Sequence, residues 1–322
     1  LWLKIPRPQG LAGSTPAPGT TAIATNEPAA PNFLPVLLIA LSLGLAACAS
    51  RAPGDAIPVP EVVDPRAAPP GTDPEARAHA LMELDPPDWA GARAAFEAAA
   101  AEGSPTAMSY LGWMHEEGHG VPRDAREAAR WYEAAAEAGA HDMAVKLGWM
   151  YLAGEGVERD RAQSELWFGR AIDAGHSPGR IALASVLIAD ALGGRDPERV
   201  SEARSLLLLA LDDGYEVASF FLARLYIEGI GGHPVDDELA ARYTRIGAES
   251  GNAQMQGWLA LMHFEGRGVA MDPVASLKWA SLAAAGGDNL GDQVRRALEE
   301  NLDPERVDEA RRQAVEWALR QR

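Results

Sequence analysis

The sequence contains a single cysteine, Cys48, among 322 residues. This excludes an intramolecular disulfide and any zinc site built only from cysteines. Basic residues are also scarce, because 29 Lys and Arg stand against 46 Asp and Glu, which gives a formal net charge of -17. A broad basic face for nucleic acid is thereby excluded, since phosphate binding needs many clustered Lys and Arg. Phosphate-binding loops and the serine-hydrolase elbow are missing as well, so we expect no cofactor, metal or nucleic-acid partner.

The apolar run at residues 33–47 is too short for a comfortable membrane span, which needs about 20 residues. Its length is typical of the apolar region of a secretory signal. Residues 45–48, Leu-Ala-Ala-Cys, resemble the lipobox of bacterial lipoproteins. This resemblance implies cleavage before Cys48 and attachment of lipid to its thiol, and the alternative is a small buried cysteine at the end of a core helix. With Ala49 next in the chain, the sorting rule of Gram-negative bacteria implies delivery to the outer membrane, facing the periplasm.

Composition divides the chain into four parts. Residues 1–47 are interpreted as an over-extended N-terminus followed by the signal peptide. Residues 48–72 comprise the lipidated cysteine and a Pro- and Ala-rich tether, which we expect to be disordered. Residues 73–302 are predicted to form the folded array, and residues 303–322 a capping helix. The residues expected on the inward face of that helix are Val307, Ala310, Ala314, Trp317 and Ala318.

The folded part repeats itself, and the copies align on a leucine. Clear copies begin LGWMHEEGHGVPRD at Leu111 and LGWMYLAGEGVERD at Leu147. Weaker copies begin at Leu222 and Leu259, and a degenerate copy begins at Leu183. The alignment produces two glycine columns, Gly118, Gly154, Gly229 and Gly266, then Gly120, Gly156, Gly231 and Gly268.

A second half follows each glycine turn. It is Ala-rich, is opened by Asp or Ser, and carries apolar residues at helical spacing, so it predicts a capped helix. Its bulky column holds Trp131, Trp167, Leu206, Tyr243 and Trp279, for which we expect helix–helix packing. Closing glycines, typical of helix C-termini, are Gly139, Gly175, Gly214, Gly251 and Gly287. Each unit is therefore predicted to be a helix, a glycine turn and a second helix.

These motifs resemble the Sel-one-like repeat (SLR) family, relatives of the tetratricopeptide repeats. The pattern matched over about residues 88–287 is Leu-Gly-x-x-Tyr, Gly-x-Gly-Val, Asp-x-x-x-Ala-x-x-Trp and Ala-Ala-x-x-Gly. The resemblance implies an all-α fold, a right-handed α-solenoid of about six antiparallel helix pairs. It also implies protein or peptide partners. Some cysteine-rich relatives are linked to beta-lactam binding or hydrolysis, but a chain with one cysteine departs from that branch.

Residues 115–119, His-Glu-Glu-Gly-His, match the H-E-x-x-H zinc signature of metallopeptidases. That signature needs both histidines on one helix face. The repeat columns predict instead that the first helix ends around Gly118, which leaves His119 in the turn. His115 is then expected to pack near the helix end, and the His119 column, which also holds Glu155, Ile230 and Arg267, to face solvent.

In tetratricopeptide-like repeats, the column two positions after the repeat leucine faces a concave groove. The resemblance therefore implies a groove formed by this column and by positions one helical turn to either side. The predicted partner-binding residues are Trp113, Trp149, Phe220, Arg224, Ile227, Leu261 and Phe264. The alternative is that adjacent repeats cover the two tryptophans.

The predicted function is a noncatalytic protein- or peptide-binding scaffold of the bacterial cell envelope, held at the membrane only by its N-terminal lipid. The alternative is an envelope enzyme or accessory factor that acts on peptidoglycan or its peptides through groove carboxylates such as Glu116. Paired carboxylates at Asp212-Asp213 and Asp236-Asp237 are interpreted as solvated helix ends, because acidic residues suit helix starts.

Overall fold

The computed structural model describes residues 73–321, and this part of the chain is helical without strands. Its fourteen α-helices are α1 (Pro74–Met82), α2 (Trp89–Ala101), α3 (Pro105–Glu117), α4 (Ala125–Glu137), α5 (His141–Ala153), α6 (Arg161–Asp173), α7 (Ser177–Leu192), α8 (Val200–Asp212), α9 (Ala218–Glu228), α10 (Asp237–Glu249), α11 (Ala253–Glu265), α12 (Pro273–Ala285), α13 (Asn289–Glu299) and α14 (Pro304–Arg320). Two short 3-10 helices, Pro197–Arg199 and Ile230–Gly232, precede α8 and follow α9. Cys48, the proposed signal and the tether lie outside the described residues.

Helices α1 to α12 form six pairs, in which each odd-numbered helix packs on the even-numbered helix that follows it. Each pair also packs on the next pair along the chain. Because every pair contacts only its neighbours, the array is a solenoid. The predicted fold class, an all-α solenoid of helix pairs, is confirmed.

Two helices close the end of the array. Helix α13 packs on α11 and α12, and α14 packs on α12. Val307, Ala310 and Ala314 of α14 are buried, and the Trp317 ring meets the Trp279 ring edge-on, with centroids 5.7 Å apart. Ala318 is exposed, against expectation, since the last turn of α14 contacts the array through the Trp317 ring.

Aspartate caps start four of the five second helices in the repeats. The side chains of Asp124, Asp160, Asp236 and Asp272 accept hydrogen bonds from backbone N–H groups of the first helical turn. These bonds satisfy amides that have no partner within the helix. Helix α8 is different, because it follows a 3-10 turn and has no side-chain cap, so Ser201 lies inside the helix rather than at its start.

The two glycine columns have different physical tasks. A glycine of the first column, such as Gly154 with φ +78°, adopts the left-handed conformation that ends the first helix. Gly156, of the second column, has φ +72°, and a Cβ there would collide with the carbonyl oxygen of Ala125, the first residue of α4 in the preceding repeat. Gly268 lies in the same way against Asp237 of α10. The second glycine thus allows adjacent repeats to touch.

The residue between the two glycines also contacts the preceding repeat, so the prediction that it faces solvent is wrong for three of the four copies. The His119 ring stacks on the Trp89 ring at 4.4 Å, and Ile230 is buried. The Arg267 guanidinium pairs with the Asp237 carboxylate at 2.6 Å. Glu155 is exposed as expected. The reason is that the second glycine brings this turn against the start of the previous second helix.

The bulky column of the second helices lies mainly in the core. Trp167 and Trp279 are 3% and 6% exposed, which agrees with a packing role. Trp131 is half-buried and packs against the cluster of buried residues formed by α1, α2 and α3. None of the helices in residues 73–321 combines the length and the apolar character that crossing a membrane requires.

Replacing Gly156 by Ala is expected to destabilise the array more than replacing Gly175. Both glycines have positive φ, +72° and +77°, but a Cβ at position 175 meets no atom within 4 Å. Gly175→Ala should therefore cost only the backbone term, about 1–2 kcal/mol. Gly156→Ala should cost roughly 1–3 kcal/mol more from the added clash. Urea unfolding followed by circular dichroism compares the two, and equal shifts of the midpoint would contradict the contact assigned to the second glycine.

Candidate binding face

Trp113 lies on α3 in an aromatic cluster at the start of the array. Its ring centroid is 4.6 Å from that of His119, 6.1 Å from that of Trp89 and 6.2 Å from that of Tyr110. Trp113 is half-buried, because the preceding pair covers one side of the indole through Trp89. The two interpretations of this tryptophan therefore each hold in part: a neighbouring pair covers some of the ring, and some of it is accessible.

Trp149 occupies the matching position on α5. Its ring meets the Phe168 ring of α6 at 5.2 Å and 67°, and the side chain is half-buried against the main core cluster. Gly148 beside it leaves room for Phe168, since a Cβ at position 148 would collide with that ring. The small residue of the Leu-Gly motif thus allows the two helices of one repeat to approach closely.

Phe220 on α9 stacks on Trp258 of α11, with ring centroids 5.3 Å apart and planes inclined by 17°. It also meets the neighbouring Phe221 edge-on at 5.4 Å. Trp258 was missed by the sequence reasoning. A signal was present, because the column directly before the repeat leucine also holds Tyr110 and Phe221. The stack shows that two first helices of adjacent repeats share one aromatic surface.

The predicted residues of α9 and α11 differ in accessibility. Ile227 and Phe264 are half-buried against the core. Leu261 is only 9% exposed and belongs to the core cluster, so its assignment as a partner-binding residue is wrong. The physical reason is that α13 packs on α11. A Cβ at nearby Gly257 would collide with the carboxylate of Asp288, the N-cap of α13, which shows how closely that helix approaches.

Arg224 does not present a free charge. Its Nε atom donates to Oε1 of Glu228 at 2.9 Å, and its Nη2 atom donates to Oε2 at 3.3 Å. The two residues lie four positions apart on α9, which is the spacing of neighbours on a helix face. The Glu228 carboxylate therefore neutralises the positive charge of Arg224 on this helix face.

Glu116 joins three helices. Its Oε2 atom accepts a hydrogen bond from the Tyr132 hydroxyl of α4 at 2.6 Å, and its Oε1 atom lies 2.6 Å from Nζ of Lys146 on α5. Burial, together with the hydrogen bond to Glu116, raises the pKa of Tyr132 well above its usual range. The carboxylate is thus engaged in holding adjacent repeats together.

The zinc signature at residues 115–119 is interrupted as the glycine columns predicted. Helix α3 ends at Glu117, and Gly118 follows with φ +81° in the left-handed region. His119 lies in the turn between the Trp89 and Trp113 rings. Within residues 73–321, no group of three or more His, Cys, Asp and Glu side chains is placed to hold a metal ion.

The paired carboxylates have structural contacts. Asp236 caps α10, and its side chain accepts from the Leu239 N–H. The Asp213 carboxylate accepts hydrogen bonds from the Ser177 hydroxyl and the Arg180 guanidinium at the start of α7. These two contacts lower the pKa of Asp213. The contacts of Asp213 therefore join the end of α8 to the start of α7, and Asp236 stabilises the start of α10.

Glu116→Ala is expected to destabilise the array by about 2 kcal/mol, because a buried tyrosine hydroxyl and a half-buried lysine both lose their acceptor. Glu117→Ala is the matched control, since it removes the same charge from an exposed neighbouring position and should cost less than about 0.5 kcal/mol. Chemical denaturation of the two variants measures the difference. Similar losses would contradict the bridging role of Glu116.

Comparison with known families identifies the repeats. The model of the Sel1 repeat matches residues 105–139, 141–176, 217–252 and 253–288. These segments correspond to the pairs α3–α4, α5–α6, α9–α10 and α11–α12. No match covers α7 and α8, which form the degenerate copy between the second and third matched segments.

Comparison with solved structures supports the same fold. A protective antigen present in uropathogenic Escherichia coli strains and displaying an SLR fold has a TM-score of 0.63 and 22% identity, over 77% of this chain and 57% of that one. This chain thus spans little more than half of that structure. A Sel1 repeat protein from Oxalobacter formigenes has a TM-score of 0.58 and 23% identity, over 75% of this chain and 96% of that one. A search of curated proteins finds no match. Four segments of the chain therefore match the Sel1 repeat model, and they lie within an α-solenoid.

Proposed function

We propose that the chain is a noncatalytic scaffold of the bacterial cell envelope that binds a protein or peptide through its first helices. Sel1-repeat proteins are generally protein-interaction scaffolds and are typically noncatalytic. Stacked helix pairs suit this role, because they form a long continuous surface from side chains of many repeats. The binding face and the envelope location are our proposals.

The observation that carries the proposal is a set of half-buried aromatic side chains on four first helices, two on each side of α7, which has no aromatic residue. Trp113 lies on α3, Trp149 on α5, and Phe220 and Phe264 on α9 and α11. We call this set the first-helix face. Each ring is fixed by core contacts on one side, so a partner can bury its remaining surface at little cost in side-chain entropy. Rigid aromatic anchors of this kind dominate the affinity of many protein interfaces.

The alternative function is an enzyme that acts on peptidoglycan. Such an enzyme needs a carboxylate, such as Glu116, that is free to act on the substrate. That carboxylate accepts from Tyr132 and pairs with Lys146, so its contacts favour a structural role. No observation on the first-helix face specifically favours catalysis over binding. We therefore take the scaffold as the single proposed function.

The envelope location is proposed from the sequence of the N-terminal region. Attachment of lipid to Cys48 would hold the chain at a membrane through acyl chains alone, which suits a protein of net charge -17 that gains nothing from anionic lipid. Ala49 supports delivery to the outer membrane, with the repeats facing the periplasm. The partner would then be an envelope protein or peptide.

Photo-crosslinking should distinguish the two sides of one repeat. A photoreactive phenylalanine derivative replaces Trp149 on α5 in one variant and Leu166 on α6 in the other, and both are expressed as full chains in the native host. Leu166 is a suitable control because it is 48% exposed on the second helix of the same repeat. Crosslinked partner is expected from position 149 and not from position 166. Equal products, or product from position 166 alone, would count against the first-helix face.

Metabolic labelling with a palmitate analogue tests the anchor. Label is expected in the full chain and should be absent from a Cys48→Ser variant, because the thiol is the proposed attachment site. Ala49→Asp is the matched control for sorting, since it should keep the label but shift the protein to the inner membrane in a density gradient. Label that persists in the Cys48→Ser variant would refute lipidation at this residue.

A further inference from the structure

The second helices carry a cluster of basic side chains without ion-pair partners. Arg204 lies on α8, Arg242 and Arg245 on α10, and Lys278 on α12. Within residues 73–321 none of the four forms a salt bridge, whereas arginines such as Arg161 pair with carboxylates. Such a cluster is unexpected in a chain of net charge -17. It creates a local positive potential on the side of the array formed by the second helices.

Two of these residues line a shallow cleft of about 290 Å³. Arg242 and Arg245 are exposed and lie three positions apart on α10, so their side chains emerge next to each other. Ile246 and Val269 are half-buried and supply an apolar part of the lining. The cleft therefore combines two adjacent guanidinium groups with an apolar patch.

Acidic side chains delimit the cleft along α10. Glu238 lies four residues before Arg242, and Glu249 lies four residues after Arg245, so one carboxylate stands at each end of the basic pair. Each carboxylate thus has the i,i+4 spacing of neighbours on a helix face relative to one of the two arginines, although neither pair forms a salt bridge in this structure. The positive segment between them is thus short, about one helical turn long.

Aromatic rings support the basic side chains of the cluster. The Arg242 guanidinium lies 6.0 Å from the centre of the Tyr243 ring, and Nζ of Lys278 lies 4.3 Å from the centre of the Trp279 ring. Tyr243 and Trp279 are buried, so these rings are fixed. Burial lowers the pKa of Lys278, although the nearby charge of Glu249 opposes this shift. Lys278 is therefore partly desolvated, and an anion bound beside it would gain from the reduced solvation of its charge.

We propose that this cleft binds an acidic peptide segment, whose carboxylates pair with Arg242 and Arg245 while an apolar side chain lies on Ile246 and Val269. Guanidinium groups bind carboxylates through paired hydrogen bonds, which suits an aspartate or glutamate side chain. The site is distinct from the first-helix face and extends the function to a second contact.

Nucleic acid and an anionic membrane fit the cleft less well than a peptide does. Both are extended polyanions, and the net charge of -17 would repel them beyond the short basic segment. Glu238 and Glu249 would face the same phosphates at each end. A peptide can place two carboxylates between these limits and leave the flanking positions neutral.

Fluorescence anisotropy tests the proposal with a short labelled peptide of alternating Glu and Leu, and with a Lys-Leu peptide as its counterpart. The purified chain is expected to bind the acidic peptide, with affinity that falls as salt increases. Arg242→Gln/Arg245→Gln should weaken binding about tenfold, because two exposed ion pairs are lost. Arg126→Gln/Arg130→Gln removes two charges from exposed positions of α4 and should change affinity less than about twofold.

Three outcomes would overturn the proposal: no binding of the acidic peptide, equal loss in the two double variants, or a preference for the Lys-Leu peptide. Cosedimentation with phosphatidylglycerol vesicles forms a further arm, and binding to vesicles without binding to the peptide would assign the cluster to a membrane instead. Loss of peptide affinity in a Trp149→Ala variant, with affinity unchanged in Arg242→Gln/Arg245→Gln, would assign the peptide to the first-helix face and would also overturn the proposal.

Discussion

The solenoid depends on the contact between each glycine turn and the start of the second helix in the preceding repeat. At Gly156 and Gly268 a Cβ atom would collide with the carbonyl oxygens of Ala125 and Asp237. The backbone conformation of these turns, with positive φ, also favours glycine. Glycine therefore meets two requirements at these positions: the positive φ of the turn and the close approach of the preceding repeat. Because each repeat contacts only its neighbours, the same close approach has to recur along the array.

The degenerate pair α7–α8 shows how the array continues where the glycine turn is missing. Asp190, whose side chain is 6% exposed, pairs with Arg195 at 2.7 Å and with Arg161 of the preceding repeat. Arg199 reaches Glu165 of α6 at 3.0 Å. Charged side chains thus make the connection that backbone contact makes elsewhere, and the partly exposed members of the network are subject to screening by salt. Gly231 restores the usual contact at the next turn, where a Cβ would collide with Val200 of α8.

The same stacking organises the chemistry of the surface. First helices of neighbouring repeats lie side by side, which brings Phe220 and Trp258 into one stack and Glu116 to Lys146. Second helices carry the basic residues Arg242 and Lys278 over aromatic rings of the core. The proposed aromatic anchors and the unpaired basic residues thus lie on different helices of the pairs. This separation is the basis for proposing two contacts of different chemistry.

The sequence by itself determined the helix pairs, the aspartate caps and the glycine turns, because these features depend on residues within a few positions of one another. It also determined that His115 and His119 do not share a helix face, since Gly118 ends α3. Tertiary structure decided which of the candidate binding residues are accessible. Leu261 is buried because α13 packs on its helix, whereas Phe264 on the same helix is half-buried. Likewise, His119 stacks on Trp89 and Glu116 bridges three helices, because side-chain contacts between repeats depend on how closely the glycine turns let those repeats approach.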